Sequence, residues 1–217
     1  MSLCLIRRRY TKAEINFTEI FPSNIDDKDA TDYLLARTFY RPRDIIVFIN
    51  ECLVMSDGKT SISATTIKQA EGRYSAERLH SLATEWSAIW PNLLQTSQLF
   101  YGLKESFRVS EITQQVMIDR YNEIAASIVS TKPDPITQSL NSLCTDNANF
   151  GSIRNVVLRE FYITGLIGIK IGPTDAVSWA RRTGHARLTA GEVRPASIVH
   201  IHPMFHRALG IRLYAEA

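Results

Sequence analysis

The sequence has only three cysteines and no long run of apolar residues. Its three cysteines, Cys4, Cys52 and Cys144, are odd in number and far apart, and no two of them form a C-x-x-C pair. This pattern argues against a disulfide framework and favours reduced thiols in a cytoplasmic protein. The longest apolar runs, such as residues 45–49, are far too short to cross a bilayer, so we expect no membrane partner.

The motifs of the common catalytic centres are also missing. Gly58-Lys59-Thr60 resembles the end of a P-loop, but a phosphate cradle needs a glycine five positions before Gly58, where Leu53 stands. The chain has no G-x-S-x-G elbow, and no carboxylate pair differs from ordinary helix-surface charge. We therefore expect no enzyme activity, no catalytic residue and no cofactor. An enzyme whose site assembles only in space is the less favoured alternative.

One pair of histidines has a spacing that suits a metal. His200 and His202 alternate along a predicted strand, so their imidazoles lie on the same side. Two such imidazoles can share a zinc ion. No cysteine lies nearby in sequence, and Glu192 is the nearest acid before the pair. A half-exposed strand face followed by a helix cap is the favoured interpretation, and we expect no metal.

What the chain does contain is an ordinary globular composition with an uneven charge. Hydrophobic residues make up 45% and charged residues 22%, which is enough apolar material to bury a core. The net charge is +3, but residues 150–217 hold nine Lys/Arg against four Asp/Glu, a net of +5. A basic end can attract nucleic acid or an acidic protein surface, although a solvated face is the favoured interpretation.

Helical spacing dominates the first part of the chain. Pro42 suits a first helical position before the apolar residues 45–53, and Ser63 is a candidate N-cap for a long helix to Trp90. The apolar stripe of that helix is predicted to be buried: Ile67, Ala70, Tyr74, Leu79, Leu82, Trp86 and Ile89. Residues 130–135 contain two prolines and no periodicity, so this linker is the predicted domain boundary.

After the linker the order of elements changes. Two helices and then two β runs are predicted: residues 136–144, 152–165, 166–171 and 198–202. This is the order of a winged helix-turn-helix domain. The predicted fold is therefore mainly α, with a helical bundle in residues 1–130 and a winged-helix-like domain with a small β wing in residues 136–217.

The basic residues of the second domain are candidates for nucleic-acid or docking contacts. Arg154 and Arg159 lie on the predicted recognition helix, five residues apart, and do not share a face well. Arg181, Arg182 and Arg187 lie between the two β runs, where the wing of a winged-helix protein can contact phosphate. A free-standing DNA-binding protein is thus an alternative, which the weakly basic recognition helix disfavours.

Three segments carry a family resemblance. The first is D-Y-L-L-A-R-T-F-Y-R-P-R-D-I-I-V-F-I-N at residues 32–50, and it is the most specific. The others are A-E-G-R-Y-S-A-E-R-L at residues 70–79 and I-H-P-M-F-H-R-A-L at residues 201–209. Together they resemble the region after the ATPase core in a family of bacterial P-loop ATPases related to the STAND and KAP-type NTPases. The resemblance spans residues 12–212.

The resemblance implies that the first domain is a helical lid-type bundle. In such lids an arginine near a proline at the start of a helix can reach the nucleotide γ-phosphate, and Arg43 matches that position, with Arg41 second. Pairing of Arg43 with Asp44 or other nearby acids is the alternative. Because the P-loop and the Walker B acids are missing from this chain, the resemblance implies a non-catalytic regulatory module. Its expected partner is the ATPase core of a larger protein or another protein, with DNA as an alternative.

Overall fold

The computed structural model describes residues 16–128, 134–143, 149–183 and 188–213, except for the side chains of residues 182 and 183. Within these ranges the chain is mainly helical with small antiparallel sheets, which confirms the predicted fold class. The chain forms two compact units, residues 1–76 and 77–217, and the division falls inside a long helix. The predicted boundary at residues 130–135 stays a prediction. No helix of the described ranges is both long and apolar enough to span a membrane.

The first unit is built from short elements that lead into longer helices. In chain order they are α1 (Phe17–Ile20), β1 (Asn24–Ile25), β2 (Lys28–Asp29), α2 (Ala30–Ala36), α3 (Pro42–Val54) and the first part of α4 (Ala64–Glu85). The strands β1 and β2 form an antiparallel hairpin, and both residues of its turn, Asp26 and Asp27, have positive φ. Aspartate tolerates this left-handed conformation better than most residues do. The hairpin leads directly into α2.

The three longer helices of this unit begin at residues suited to helix starts. The Asp29 carboxylate accepts hydrogen bonds from two backbone N–H groups of the first turn of α2, at 2.8 and 3.3 Å. These bonds lower the pKa of Asp29 below its usual range. Pro42 occupies the first position of α3, as predicted. Ser63 Oγ accepts from Thr66 N at 3.1 Å, which confirms the predicted cap of α4.

A buried polar network lies inside the first unit. The Glu71 carboxylate accepts a hydrogen bond from Tyr33 OH at 2.6 Å and pairs with Arg37 Nε at 2.8 Å. The Arg37 guanidinium also covers the Tyr33 ring, 3.4 Å from its centroid. Nearby in the same unit, Phe48 stacks on Tyr74 with ring centroids 4.4 Å apart. Polar and aromatic contacts therefore join α2 and α3 to the first part of α4.

The second unit combines helices with a three-stranded sheet. Its helices and strands after α4 are α5 (Leu93–Thr96), β3 (Ser106–Arg108), α6 (Gln114–Ala125), α7 (Pro135–Ser142), α8 (Phe150–Thr164), β4 (Ile167–Lys170), α9 (Ala180–Thr183) and β5 (Ile198–Ile201). Short 3-10 helices lie at Ser97–Phe100, Val109–Glu111, Ala190–Glu192 and Pro203–Phe205. The two predicted helices are followed by the two predicted strands, but the short helix α9 and a 3-10 helix lie between the strands where a loop was predicted.

The sheet of the second unit is antiparallel with the strand order β3-β5-β4. His200 pairs with Ser106 on one side and with Gly168 on the other. The residues that alternate with these are buried: Phe107, Val199, Ile201, Ile167 and Ile169. One face of the sheet therefore belongs to the core, because alternate residues of a strand point to opposite faces.

Helix α8 lies at the centre of the second unit. The helix starts two residues before the predicted start at residue 152, and Asn149 caps it, with its side chain accepting from Ser152 N at 3.2 Å. Gly165 ends the helix as predicted, in a left-handed conformation with a φ of 86° that glycine adopts without strain. Seven of its residues are buried: Arg154, Val157, Leu158, Glu160, Phe161, Tyr162 and Thr164. Of its fifteen residues only Ser152 is exposed, so packing within the unit covers most of the helix surface.

Two predictions for the middle of the chain are wrong. Helix α4 ends at Glu85 and not at Trp90, and Ile89 is 50% exposed instead of buried. Trp86 is only half-buried, whereas Trp90 is 3% exposed and meets the Trp86 ring edge-on at 4.9 Å between centroids. A turn follows Glu85, so the helical period no longer decides which side chains face the core.

Candidate functional site

The two arginines predicted to contact nucleotide lie exposed at the start of α3. Arg41 precedes the helix, with its guanidinium 5.8 Å from the Phe39 ring centroid, and Arg43 follows in the first turn. Asp44 is 1% exposed, and its carboxylate accepts a hydrogen bond from Phe39 N at 3.1 Å. The Asp44 carboxylate therefore caps backbone inside the fold, whereas both guanidinium groups face solvent.

Gly58-Lys59-Thr60 lies in an exposed turn after α3. Gly58 has a left-handed φ of 74°, and Lys59 N donates to the Ser56 carbonyl at 2.9 Å. A helix and not a strand leads into this turn. The geometry thus differs from the strand, loop and helix that form a nucleotide-binding P-loop.

The two candidate arginines of α8 make contacts within the second unit. Arg154 is 8% exposed, and its guanidinium lies 5.4 Å from the Phe150 ring centroid. Arg159 NH1 pairs with Glu160 Oε1 at 2.6 Å, and the Arg159 side chain is 41% exposed. The other Glu160 oxygen accepts from Trp90 Nε1 at 3.2 Å. The helix offers little exposed basic surface, and a nucleic-acid role of these arginines stays a prediction.

Arg181 lies mostly inside the second unit. Its Nε donates to the carbonyl of the last residue of α8 at 2.9 Å, and its NH1 pairs with Glu85 at 3.1 Å. The guanidinium also stands 5.6 Å from the Trp86 ring centroid, and the side chain is 10% exposed. Arg182 continues α9, but its side chain and the whole of Arg187 lie outside the described residues. Arg181 is thus hydrogen-bonded to the C-terminal end of α8.

The two histidines have different surroundings. His202 is buried, its Nδ1 accepts from the backbone N–H two residues later at 3.2 Å, and its ring meets Trp179 edge-on. His200 is half-buried, and burial lowers the pKa of its imidazole below the usual range, although the Glu105 carboxylate acts in the opposite direction. Among the described residues, no group of three His, Cys, Asp or Glu side chains is placed to hold a metal ion. The expectation that these two histidines hold no metal stays a prediction.

A cavity of about 600 Å³ opens in the second unit, within the size range of ligand pockets. Its wall is mostly apolar and includes Phe100, Phe107, Met117 and Leu158. These residues come from a 3-10 helix, from β3, from α6 and from α8, and residues 212 and 213 complete the wall. Its polar lining consists of three basic side chains and one carboxylate: Lys104, Arg120, Arg212 and Glu111.

Hydrogen bonds to the backbone hold the rim of this cavity. Arg120 donates through NH1 to the carbonyls of Leu99 and Tyr101, at 3.1 and 2.9 Å. Arg212 N donates to the Leu103 carbonyl at 2.8 Å. The rim is thus fixed by long-range bonds between segments that lie far apart in sequence.

Sequence reasoning missed this cavity because no single segment forms it. The buried stripe of α6 consists of Met117, Tyr121 and Ile124. Val116 lies outside that stripe and is 40% exposed. An apolar residue beside the stripe of an amphipathic helix is the one local signal that the sequence offers.

The chain is similar to parts of longer proteins. Residues 3–83 match a family model described as the FunZ-associated C-terminal helical domain. Over 185 residues the chain is 23% identical to the "Putative transposon gamma-delta 80.3 kDa protein" of Escherichia coli (strain K12). The aligned part is 83% of this chain and 24% of that relative, so the chain spans about a quarter of the relative's length. No solved structure matches the chain.

Proposed function

We propose that the chain is a non-catalytic regulatory module of a larger cytoplasmic P-loop ATPase of the STAND or KAP type. In this role it couples the nucleotide state of the ATPase core to a partner protein. The observation that carries the proposal is the pair of exposed guanidinium groups at the start of α3, Arg41 and Arg43.

The geometry around Asp44 makes these arginines available to a phosphate. Because the Asp44 carboxylate is buried and bonded to Phe39 N, it does not face solvent beside Arg43. A solvent-facing guanidinium can contact a phosphate through two parallel hydrogen bonds. The first turn of α3 also presents the positive end of the helix dipole, which favours an anion at the same place.

The buried acids of the fold support a module without chemistry of its own. Asp44 bonds to backbone, Glu71 to Tyr33 and Arg37, and Glu160 to Trp90 and Arg159. Asp134, 1% exposed, caps α7 and accepts from an asparagine side chain. A catalytic acid or base must instead reach a substrate proton. These four carboxylates have structural partners that account for their burial.

The similarities to other proteins agree with a module of a larger chain. The matched family is described as a C-terminal helical domain, and the relative from Escherichia coli is about four times longer than its aligned part. The remainder of such a protein would supply the nucleotide site that Arg43 is proposed to reach.

The test uses the longer protein that carries the ATPase core. Arg43→Ala should lower ATP turnover about tenfold or more, since loss of an arginine that acts on the transferring phosphate is costly. Arg73→Ala is the matched control, because Arg73 is also an exposed arginine of the first unit. Its Nε lies 3.6 Å from Glu51 Oε2, which is a long ion pair. Equal turnover in the Arg43→Ala and unchanged proteins would contradict the proposed coupling.

The isolated chain provides the second half of this test. Phosphate release by the pure chain with ATP and magnesium should equal that of its Lys59→Ala variant. Turnover above background that disappears in the Lys59→Ala variant would mean that the turn at Gly58 binds nucleotide after all.

A nucleic-acid-binding module is the second candidate, and the register of the sheet favours it. Arg108, Ile198 and Lys170 lie side by side on β3, β5 and β4, so their side chains share the face opposite the core. Contacts from this face to phosphates would be sequence-independent and steeply salt-sensitive. The burial of α8 disfavours base reading by a recognition helix.

Anisotropy titrations with duplex DNA across salt concentration separate the two candidates. If the sheet face contacts phosphates, Arg108→Ala with Lys170→Ala should reduce the salt slope by about one unit for each lost contact. Absence of binding at low salt removes this candidate and leaves the first one in place.

A further inference from the structure

We infer that the cavity of the second unit is the docking site for an acidic amphipathic segment of a partner protein, whose apolar side chain enters the cavity. This inference rests on the proposed role of the chain as an interaction module, and it concerns residues other than Arg41 and Arg43. The occupant is recognised by two features, an apolar anchor and nearby carboxylates.

The first step is the shape and chemistry of the wall. The cavity of about 600 Å³ is lined mainly by aliphatic and aromatic side chains, among them Phe100, Phe107 and Leu158. An apolar group that leaves water for such a wall gains about 25 cal/mol for each Å² of buried apolar surface. The cavity therefore favours an apolar side chain over a polar one.

The second step is the apolar surface around the opening. Leu213 and Val116 line the cavity and are 46% and 40% exposed; Tyr101, whose carbonyl accepts from Arg120 of the lining, is 58% exposed. A small molecule held inside the cavity would leave most of this outer surface in water. Clustered exposed apolar residues, with an aromatic among them, are typical of protein-docking sites. The surface therefore favours a polypeptide that covers the rim as well as filling the cavity.

The third step is the charge of the polar lining. Lys104, Arg120 and Arg212 contribute three positive charges and Glu111 one negative charge, a net of +2. Arg120 NH1 is held by two backbone carbonyls, and Glu111 Oε1 accepts from the backbone N–H of Arg108 at 2.8 Å. Both groups are thereby fixed in place at the site. The potential favours an acidic partner and disfavours a basic one.

An amphipathic helix with one or more carboxylates beside its apolar face meets these three conditions. Its apolar side chains at helical spacing would enter the cavity and cover Leu213 and Val116, as in other complexes where a helix lies in a groove. Its carboxylates would face the basic residues of the lining.

The test selects binders from a phage-displayed library of random peptides with the full chain as bait. Enriched peptides should carry apolar residues at helical spacing together with Asp or Glu. The tightest peptide is then synthesised with a fluorophore, and its affinity for variants of the chain is measured by anisotropy.

Variants at exposed positions keep the fold while altering the site. Val116→Glu and Leu213→Glu should each weaken peptide binding about tenfold or more, equivalent to about 1.4 kcal/mol. Ile89→Glu is the matched control, because Ile89 is a similarly exposed apolar residue of the same unit outside the cavity lining, and it should leave the affinity within about twofold. Arg212→Glu should weaken binding and reduce its salt dependence, while Arg194→Glu, an exposed arginine outside the lining, should not.

The inference would be overturned by no enrichment of any peptide, by enrichment of peptides without acidic residues, or by an Ile89→Glu loss equal to that of Leu213→Glu. Displacement of a bound peptide by dodecanoate would support a site in the cavity. Binding of dodecanoate without binding of any peptide would instead identify a small-molecule pocket and contradict the protein partner. None of these results depends on Arg43, so failure here is distinct from failure of the proposed coupling to an ATPase.

Discussion

Each compact unit contains a buried glutamate, and the two glutamates are held in different ways. Glu71 in the first unit is 1% exposed and Glu160 in the second is 5% exposed. Each pairs with an arginine and accepts a hydrogen bond from an aromatic side chain, Tyr33 or Trp90. The two sites therefore have the same chemistry.

The two sites differ in the position and the exposure of the arginine. Arg37 directly follows α2, its side chain is 12% exposed, and its guanidinium covers the Tyr33 ring. Arg159 is the immediate neighbour of Glu160 and its side chain is 41% exposed. Water can therefore solvate Arg159 when its partner is removed, but it can scarcely reach Arg37. The comparison teaches that burial of both partners, more than the presence of an ion pair, decides how much a charge contributes.

The largest expected effect is at Glu71. Glu71→Gln leaves the Arg37 charge buried without a counter-charge, and breaking such a pair costs about 3–5 kcal/mol. Urea unfolding followed by circular dichroism measures this loss. The double variant Glu71→Leu with Arg37→Met is the control, since removing both charges should restore much of the stability. A loss below about 1 kcal/mol for Glu71→Gln would remove the contrast with the second unit.

The thiol of Cys52 reports on the same unit by a separate measurement. Cys52 is fully buried, and burial raises the pKa of its thiol to about 12, so the native thiolate is scarce and shielded. With Cys4 and Cys144 replaced by serine, labelling by a disulfide reagent should wait for opening of the first unit. If the glutamate network limits that opening, Glu71→Gln should speed labelling by about a hundredfold, since each tenfold corresponds to about 1.4 kcal/mol. Equal labelling rates would mean that opening leaves the network intact.

The elements that sequence predicts well are those with local causes. Pro42 starts α3, Ser63 caps α4 and Gly165 ends α8, because each of these residues acts on its own backbone neighbourhood. Strand β3 was missed because its three residues are held by pairing with β5, about ninety positions away. The buried stripe of α4 was wrongly predicted to extend to Ile89. No glycine or proline between Glu85 and Pro91 marks the turn that ends the helix.

The same contrast between local and long-range causes applies to the candidate sites. The sequence identifies Arg43 through its motif, but only the structure places the Asp44 carboxylate inside the fold. Arg181 looks like a wing residue in the sequence, yet its guanidinium bonds to Glu85 and to the end of α8, which are remote in sequence. The cavity has walls from segments spread over residues 99–213. Sites assembled from such distant segments have no local pattern from which sequence reasoning can begin.

A smaller effect is expected at Trp90, which is the long-range partner of Glu160. Trp90→Phe keeps an aromatic ring in the core but removes the Nε1 donor, and loss of one hydrogen bond to a buried carboxylate costs about 1–3 kcal/mol. Trp86→Phe is the matched control, because Trp86 Nε1 has no hydrogen-bond partner among the described residues. Chemical denaturation of the two variants gives the difference. Equal losses would mean that ring volume, and not the bond to Glu160, determines the effect.

The smallest effect is expected for the pair of Arg159 and Glu160. Glu160→Gln removes this ion pair but leaves Arg159, whose side chain is 41% exposed and can be solvated, so the loss should be only about 0–1 kcal/mol. The amide oxygen of the new side chain can still accept from Trp90 Nε1, as the Glu160 carboxylate does. The measured loss should shrink further at high salt, because exposed charges are screened. A loss of about 3 kcal/mol, close to that of Glu71→Gln, would mean that Glu160 depends on its neighbour as fully as Glu71 depends on Arg37. The exposed fraction of the arginine would then not explain the difference between the two units.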